Sequence, residues 1–308
     1  MDTRLLIRKA WLYTQNRKRL VNIYGILPAL LTTVVTIVIF AYQLFSLRQA
    51  VYDPSNPAYK FFYDYILAIF NNYPSLTLPI IIAVLVFFLL ELAVPVFAEG
   101  SVIQILAREY NNQSVRLRDG IKYGMQNFLV LLELHGVLFF FSFFTIFRGS
   151  IYLYVYLGKD FASFFMPIIV LMSIVSIIAT LLFAYAENYV VIDEDNIFAA
   201  LKKSASLVIF NLKETVLILF LLSLIGLRVL LNMVFVIGLP LLISWIFSLI
   251  IQSQFFFLAK FVALFLSLGS LVLLAKLAGT LFIFTKAVWV FSFLELTKNE
   301  DKSARESG

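Results

Sequence analysis

The sequence predicts an all-α polytopic transmembrane helical bundle with about six spans and a parallel internal repeat. Three observations carry that expectation. The apolar fraction is 62% and the mean hydropathy is +0.96, whereas apolar residues make up about half of an ordinary soluble domain. The apolar residues fall in runs of about 20, long enough to cross a hydrocarbon layer. The charged residues, only 14% of the chain, collect in the short polar segments between those runs. One soluble core could not hide so much apolar surface, so the excess needs lipid.

The spans lie near 21–46, 75–97, 126–147, 161–186, 214–236 and 261–286. The first is too long for a secretory signal core and reads as a retained span. Met1-Asp2-Thr3 lacks the glycine that myristoylation needs, and the chain has no cysteine to prenylate. A shorter apolar piece, 241–251, follows Gly238 and Pro240 and precedes Gln252, Ser253 and Gln254. Its length suits a re-entrant or interfacial helix better than a span.

Basic residues set the expected orientation. Arg108, Arg116, Arg118, Lys122, Lys202, Lys203, Lys213, Lys286, Lys298, Lys302 and Arg305 fall on the same side as the basic N-terminus. Arg48, Lys60, Arg148, Lys159 and Lys260 fall opposite. The positive-inside rule makes the richer side cytoplasmic and places the protein in the cell membrane with both termini inside. The sequon Asn112-Gln113-Ser114 is then cytoplasmic and unmodified.

Residues 1–20 read as a basic amphipathic helix on the cytoplasmic leaflet, with Leu6, Ala10 and Tyr13 on one face. Arg4, Arg8, Lys9, Arg17, Lys18 and Arg19 would meet anionic headgroups. An ordinary positive-inside flank is the equal alternative. Opposite, 58–74 is amphipathic and rich in Phe and Tyr, an aromatic belt segment. The tail 297–308 is polar and expected to be disordered.

The repeat rests on two amphipathic helices. Leu117, Ile121, Gly124 and Phe128 share one helical face, and Ile197, Leu201, Ser204 and Val208 share the matching one. Gly120 matches Ala200, Gly124 matches Ser204, and Ser114 and Asp195 stand ready as caps. Span two, helix and span three therefore mirror span four, helix and span five in the same orientation.

The stretch Val190-Val191-Ile192-Asp193-Glu194-Asp195 continues through Ala200-Leu201-Lys202-Lys203-Ser204 into a new span. It resembles the membrane domain attached to some glycerophosphodiester phosphodiesterases and that domain's free-standing, uncharacterised bacterial relatives. Glu99-Gly100-Ser101 and Asp119-Gly120 are similar to the other half of that family. The resemblance covers nearly the whole chain and implies a six-span helical domain. It does not imply phosphodiesterase activity, because these residues include no soluble catalytic domain.

Enzyme chemistry finds little to work with. His135 is the one histidine, there is no cysteine, and no HExxH, GxSxG or P-loop occurs. The acidic turn Asp193-Glu194-Asp195 lacks the ligand pattern of a calcium loop and suits helix capping. No metal or cofactor is expected.

Charges inside spans are costly unless paired or hydrated. Glu91, Glu133 and Lys276 are expected to form a charge cluster in a cytoplasm-facing cavity, with His135 near it. A plain interhelical lock is the competing role. Arg228 and Asn232, one turn apart, are candidates for binding a lipid phosphate. The resulting expectation is a non-enzymatic membrane module of scaffold, regulatory or lipid-associated type. Its partners would be anionic lipids and a second membrane protein, with no nucleic acid. The alternative is a transporter of a lipid or small amphiphile that uses the charged cavity.

Overall fold

The computed structural model describes residues 2–52, 58–250 and 256–306, and every described element is a helix. Among the described residues six helices are long and apolar enough to cross a membrane, so the chain is a multi-pass membrane protein.

Helix α1 (Thr3–Asn16) starts where the Asp2 carboxylate accepts the amides of Arg4 at 3.0 Å and Leu5 at 3.2 Å. Its apolar face is the expected one, since Leu6 and Ala10 are buried. That face lies on protein rather than on a leaflet. Trp11 meets Phe284 edge-on at 5.5 Å, and Tyr13 meets Phe291 at 5.7 Å. Arg17 pairs with Glu109 at 2.8 Å, and Tyr13 donates a hydrogen bond to the same carboxylate. Burial and that bond hold the Tyr13 phenol above its ordinary pKa, so it stays a donor.

A short α2 (Lys18–Leu20) and a π turn (Val21–Gly25) lead into α3 (Ile26–Tyr52). Helix α4 (Ala58–Asn72) sits at the far end of α3, with Phe61 and Phe62 against Phe45. Helix α5 (Pro74–Tyr110) returns to the basic side and α6 (Asp119–Phe140) leaves it again.

Helix α7 (Phe143–Leu182) is two arms joined at Gly158. Tyr156 reaches Tyr42 and Tyr59 near α4, while Ser176 donates back to the Phe141 carbonyl. The arms 143–157 and 159–182 therefore form a hairpin whose far-side turn is Gly158. The third crossing continues past the expected end at Phe147, and Arg148 lies in a helical arm rather than a loop. Gly158 has φ +86° and ψ 168°, a conformation open almost only to glycine.

Helix α8 (Ala186–Ile192), α9 (Ile197–Phe210) and α10 (Leu212–Ile250) follow, then α11 (Phe256–Glu306). Four expectations change here. Helix α10 continues through Gly238 and Pro240, so 241–250 is its end and not a separate element. Neighbouring groups and local adjustment let a membrane helix carry proline. The tail continues α11 as helix to Glu306, because its Lys, Ala, Arg and Glu residues are good helix formers. Asn196 rather than Asp195 caps α9, accepting the Ala199 amide at 2.9 Å. Asp195 instead pairs with Lys203 at 2.8 Å, which raises the pKa of that ammonium. Ser114 does not cap α6, whose N-cap residue is Arg118 and makes no side-chain cap bond.

Buried residues concentrate toward the basic side. They run from Val96 to Ala107 on α5, from Tyr185 to Val191, and from Phe284 to Leu296 on α11. On the other half of α5, Leu85, Phe88 and Leu89 are exposed. Lipid tails supply no hydrophobic drive between helices. Burial is therefore tightest where headgroups and water would otherwise reach.

Glycine permits a close backbone contact between α11 and the π turn. A Cβ on Gly25 would lie 2.7 Å from the Gly279 oxygen, and one on Gly279 would lie 2.6 Å from the Gly25 carbonyl carbon. Gly279→Leu is expected to lose about 1–3 kcal/mol through overpacking. Gly269→Leu, whose Cβ meets nothing within 4 Å, is the control and should leave thermal unfolding in detergent unchanged.

Candidate functional site

Four charged or titratable side chains from four elements converge. Glu99 comes from α5, His135 from α6, Glu187 from α8 and Lys286 from α11. Lys286 Nζ bridges Glu99 Oε1 and Glu187 Oε2. His135 Nε2 lies 2.9 Å from Glu99 Oε2 and 3.7 Å from Glu187 Oε1. The 2.9 Å contact is close but off the direction of a hydrogen bond, so Nε2 remains without a directed partner.

The supports of each member are local. Ser101, half a turn after Glu99, donates to the Gly120 carbonyl at 2.7 Å and fixes α5 against α6. Gly124 lets these helices approach, because a Cβ there would strike Ser101 and Phe97. Glu187 follows a tight turn in which Ser204 accepts the Tyr185 amide at 3.1 Å and donates to the Leu182 carbonyl at 2.8 Å. The Tyr185 hydroxyl meets Ser292 at 2.9 Å, and Asn188 donates to the Trp289 carbonyl at 3.4 Å. Those two contacts tie α8 to α11, which carries Lys286.

Counted from Pro74 at about 1.5 Å per residue, a hydrocarbon layer of about 30 Å ends near residue ~94. Glu99 thus stands at headgroup depth on the basic side. A cavity of about 520 Å³ opens on the other flank of the cluster. Leu138 and Phe141 follow His135 along α6, Ala179, Thr180 and Phe183 precede Glu187, and Leu281 and Thr285 precede Lys286. Glu187 and Lys286 form its floor. Toward the basic side, Val102, Ile103, Leu106, Val190 and Phe291 are buried and seal the cluster. The expected cavity facing the basic side is therefore corrected: the charged cavity faces away from it.

The expected membership is corrected too. His135 belongs to the cluster, while Glu91, Glu133 and Lys276 do not. Glu133 is exposed, as its divergence from His135 two residues on requires. Glu91 is half-buried and forms no ion pair among the described residues. Lys276 is exposed and lines a separate groove with Arg228, Arg4 and Arg8. The Asn232 side chain lies outside the described residues. Of the N-terminal cations, Lys9 stands 4.0 Å over the Tyr110 ring and Arg17 holds Glu109, so both contact protein. Lys18 and Arg19 line a cleft with Arg116 and Arg118.

Sequence reasoning passed over Glu99, Glu187 and Lys286 as cluster members. A signal existed: Ala98-Glu99 precedes Val102-Ile103 just as Ala186-Glu187 precedes Val190-Val191. The same short pattern puts an acid before each buried aliphatic pair.

Glu99, His135 and Glu187 hold their ligand atoms within 4.8 Å of one another, a set that could bind a divalent metal. Lys286, however, already stands between the two carboxylates and supplies the cation. The arrangement is a self-neutralising ion cluster. Two carboxylates, an ammonium and an imidazole thus meet beside an apolar chamber.

No family model matches the chain, and no curated protein or solved structure matches it. The chemistry of the site stands on its geometry.

Removing one partner of a buried pair leaves an uncompensated charge. Lys286→Met is expected to cost roughly 3–5 kcal/mol in detergent unfolding, and adding Glu99→Gln should recover a large part of it. A double variant as unstable as the single would mean that Lys286 acts through packing rather than charge.

Proposed function

We propose that the protein is a non-enzymatic membrane module that binds a small amphiphilic cation from the bilayer, the first step of a transporter. One observation carries the reading: two members of the ion cluster, Glu187 and Lys286, form the floor of an apolar cavity. A pure interhelical lock would enclose both, whereas Glu187 is 22% exposed.

The chamber suits such a ligand in size and chemistry. At about 520 Å³ it falls within the range of small-molecule sites. Phe141, Phe183 and Trp289 border it and offer ring faces to a cation. The Glu187 carboxylate at the floor offers an acceptor to a positive guest. The paired amphipathic helices at 117–128 and 197–208 support a transport reading, since parallel repeats build many transporter cores. The resemblance of 190–204 and Glu99-Gly100-Ser101 to the phosphodiesterase-linked membrane domain adds support, because both stretches flank the cluster.

The basic side is assigned to the cytoplasm of a cell membrane by the positive-inside rule. The chain has no cysteine, so single cysteines report topology directly. Asp160→Cys should react with an impermeant maleimide in intact cells, and Lys122→Cys only after permeabilisation. The reverse pattern would invert the protein and every orientation given above.

Tetraphenylphosphonium, an apolar cation, tests the binding reading in phosphatidylcholine nanodiscs. Saturable quenching of tryptophan fluorescence is expected. Glu187→Gln should weaken it about tenfold, the loss of one charge-assisted contact. Thr180→Trp should abolish it by filling the chamber. Binding indifferent to both substitutions would sink the proposal and return the cluster to a structural role.

A further inference from the structure

The outer surface of α1, α10 and α11 carries a second feature, separate from the cluster and independent of the cation-binding reading. A groove of about 860 Å³ runs between these three helices. Arg4 and Arg8 of α1, Arg228 of α10 and Lys276 of α11 all line it. Among the described residues none of the four joins an ion pair. The nearest acid in sequence, Asp2, spends its carboxylate on the amides of Arg4 and Leu5.

Four unmatched cations on one groove repel one another and call for an anion. The remaining lining is apolar, with Trp11, Val229, Leu277 and Phe284 among it. A free phosphate would satisfy the charges and leave that bed uncovered. A lipid satisfies both. We propose that this groove holds one anionic phospholipid, its phosphate among Arg4, Arg8, Arg228 and Lys276 and an acyl chain along the apolar wall.

Lys276 precedes Lys286 on α11 by about 15 Å, deeper in the bilayer than the cluster, and its long stem can carry the ammonium toward a phosphate at the basic-side interface. Arg residues suit the phosphate through their planar forks, and Lys through a point charge. The lipid would also join α1 to α10, whose direct contact is slight, and so secure the N-terminal helix to the bundle.

The test uses the full chain in nanodiscs of mixed phosphatidylcholine and phosphatidylglycerol, released gently for native mass spectrometry. One phosphatidylglycerol is expected to stay bound in preference to phosphatidylcholine. Arg228→Gln with Lys276→Gln should weaken its retention roughly 30-fold, from two surface cations lost. Arg8→Gln alone should weaken it about fivefold by the same reckoning. All these sites are exposed, and lipid-free thermal unfolding of each variant confirms its fold. Lys122→Gln with Lys202→Gln removes two basic-side cations away from the groove and should leave retention intact. Equal loss in that control, equal retention of both lipids, or complete displacement by inorganic phosphate would each overturn the proposal. Retention of a second protein in place of lipid would overturn it as well.

Discussion

A carboxylate as enclosed as Glu99 keeps its charge only if a counter-charge is brought to it. The counter-charge comes from Lys286, nearly 190 residues further along the chain, and Glu187 shares it. That one requirement joins α5, α8 and α11, and His135 adds α6. Much of the surrounding detail serves it. Ser101 and Gly124 close α5 onto α6, and Ser204 and Tyr185 shape the turn that turns Glu187 inward. The chamber exists because these elements meet at the cluster and diverge on leaving it.

The distribution of packing follows from the solvent on each side. Within the hydrocarbon layer an exposed leucine costs nothing, so the far halves of α5, α7 and α11 have few neighbours. Near the basic side, water and headgroups restore the hydrophobic effect, and the helices close around Ile103, Tyr185 and Phe291. This produces a sealed end and an open end. A charged site placed at the boundary between them is reachable from one direction only, the property a binding site within a membrane needs.

The α10–α11 pair separates two different environments. Leu281 borders both the chamber, which ends at the Glu187–Lys286 pair, and the groove, which is edged with arginines and a lysine. A cationic guest and an anionic lipid would therefore press on the same two helices from opposite faces. Any shift of α11 that loosens Lys286 would also move Lys276, since both belong to one continuous helix.

The number of spans, their approximate places, the basic face of α1 and the need for close-packing glycines at 120 and 124 were all legible in the sequence. These depend on local composition and on periodicity, which a chain carries with it residue by residue. The candidate site was legible in kind but not in membership: His135 was found, and Glu91, Glu133 and Lys276 stood where Glu99, Glu187 and Lys286 belong. Depth along a helix can be counted from sequence, but the direction a side chain faces relative to three other helices cannot. The same reason hid the Gly158 hairpin turn, the docking of α1 on α11 and the convergence of Arg4, Arg8, Arg228 and Lys276. Sequence determined that charges would lie near the membrane boundary; only the crossing of helices decided which of them neutralise one another and which are left to bind something else.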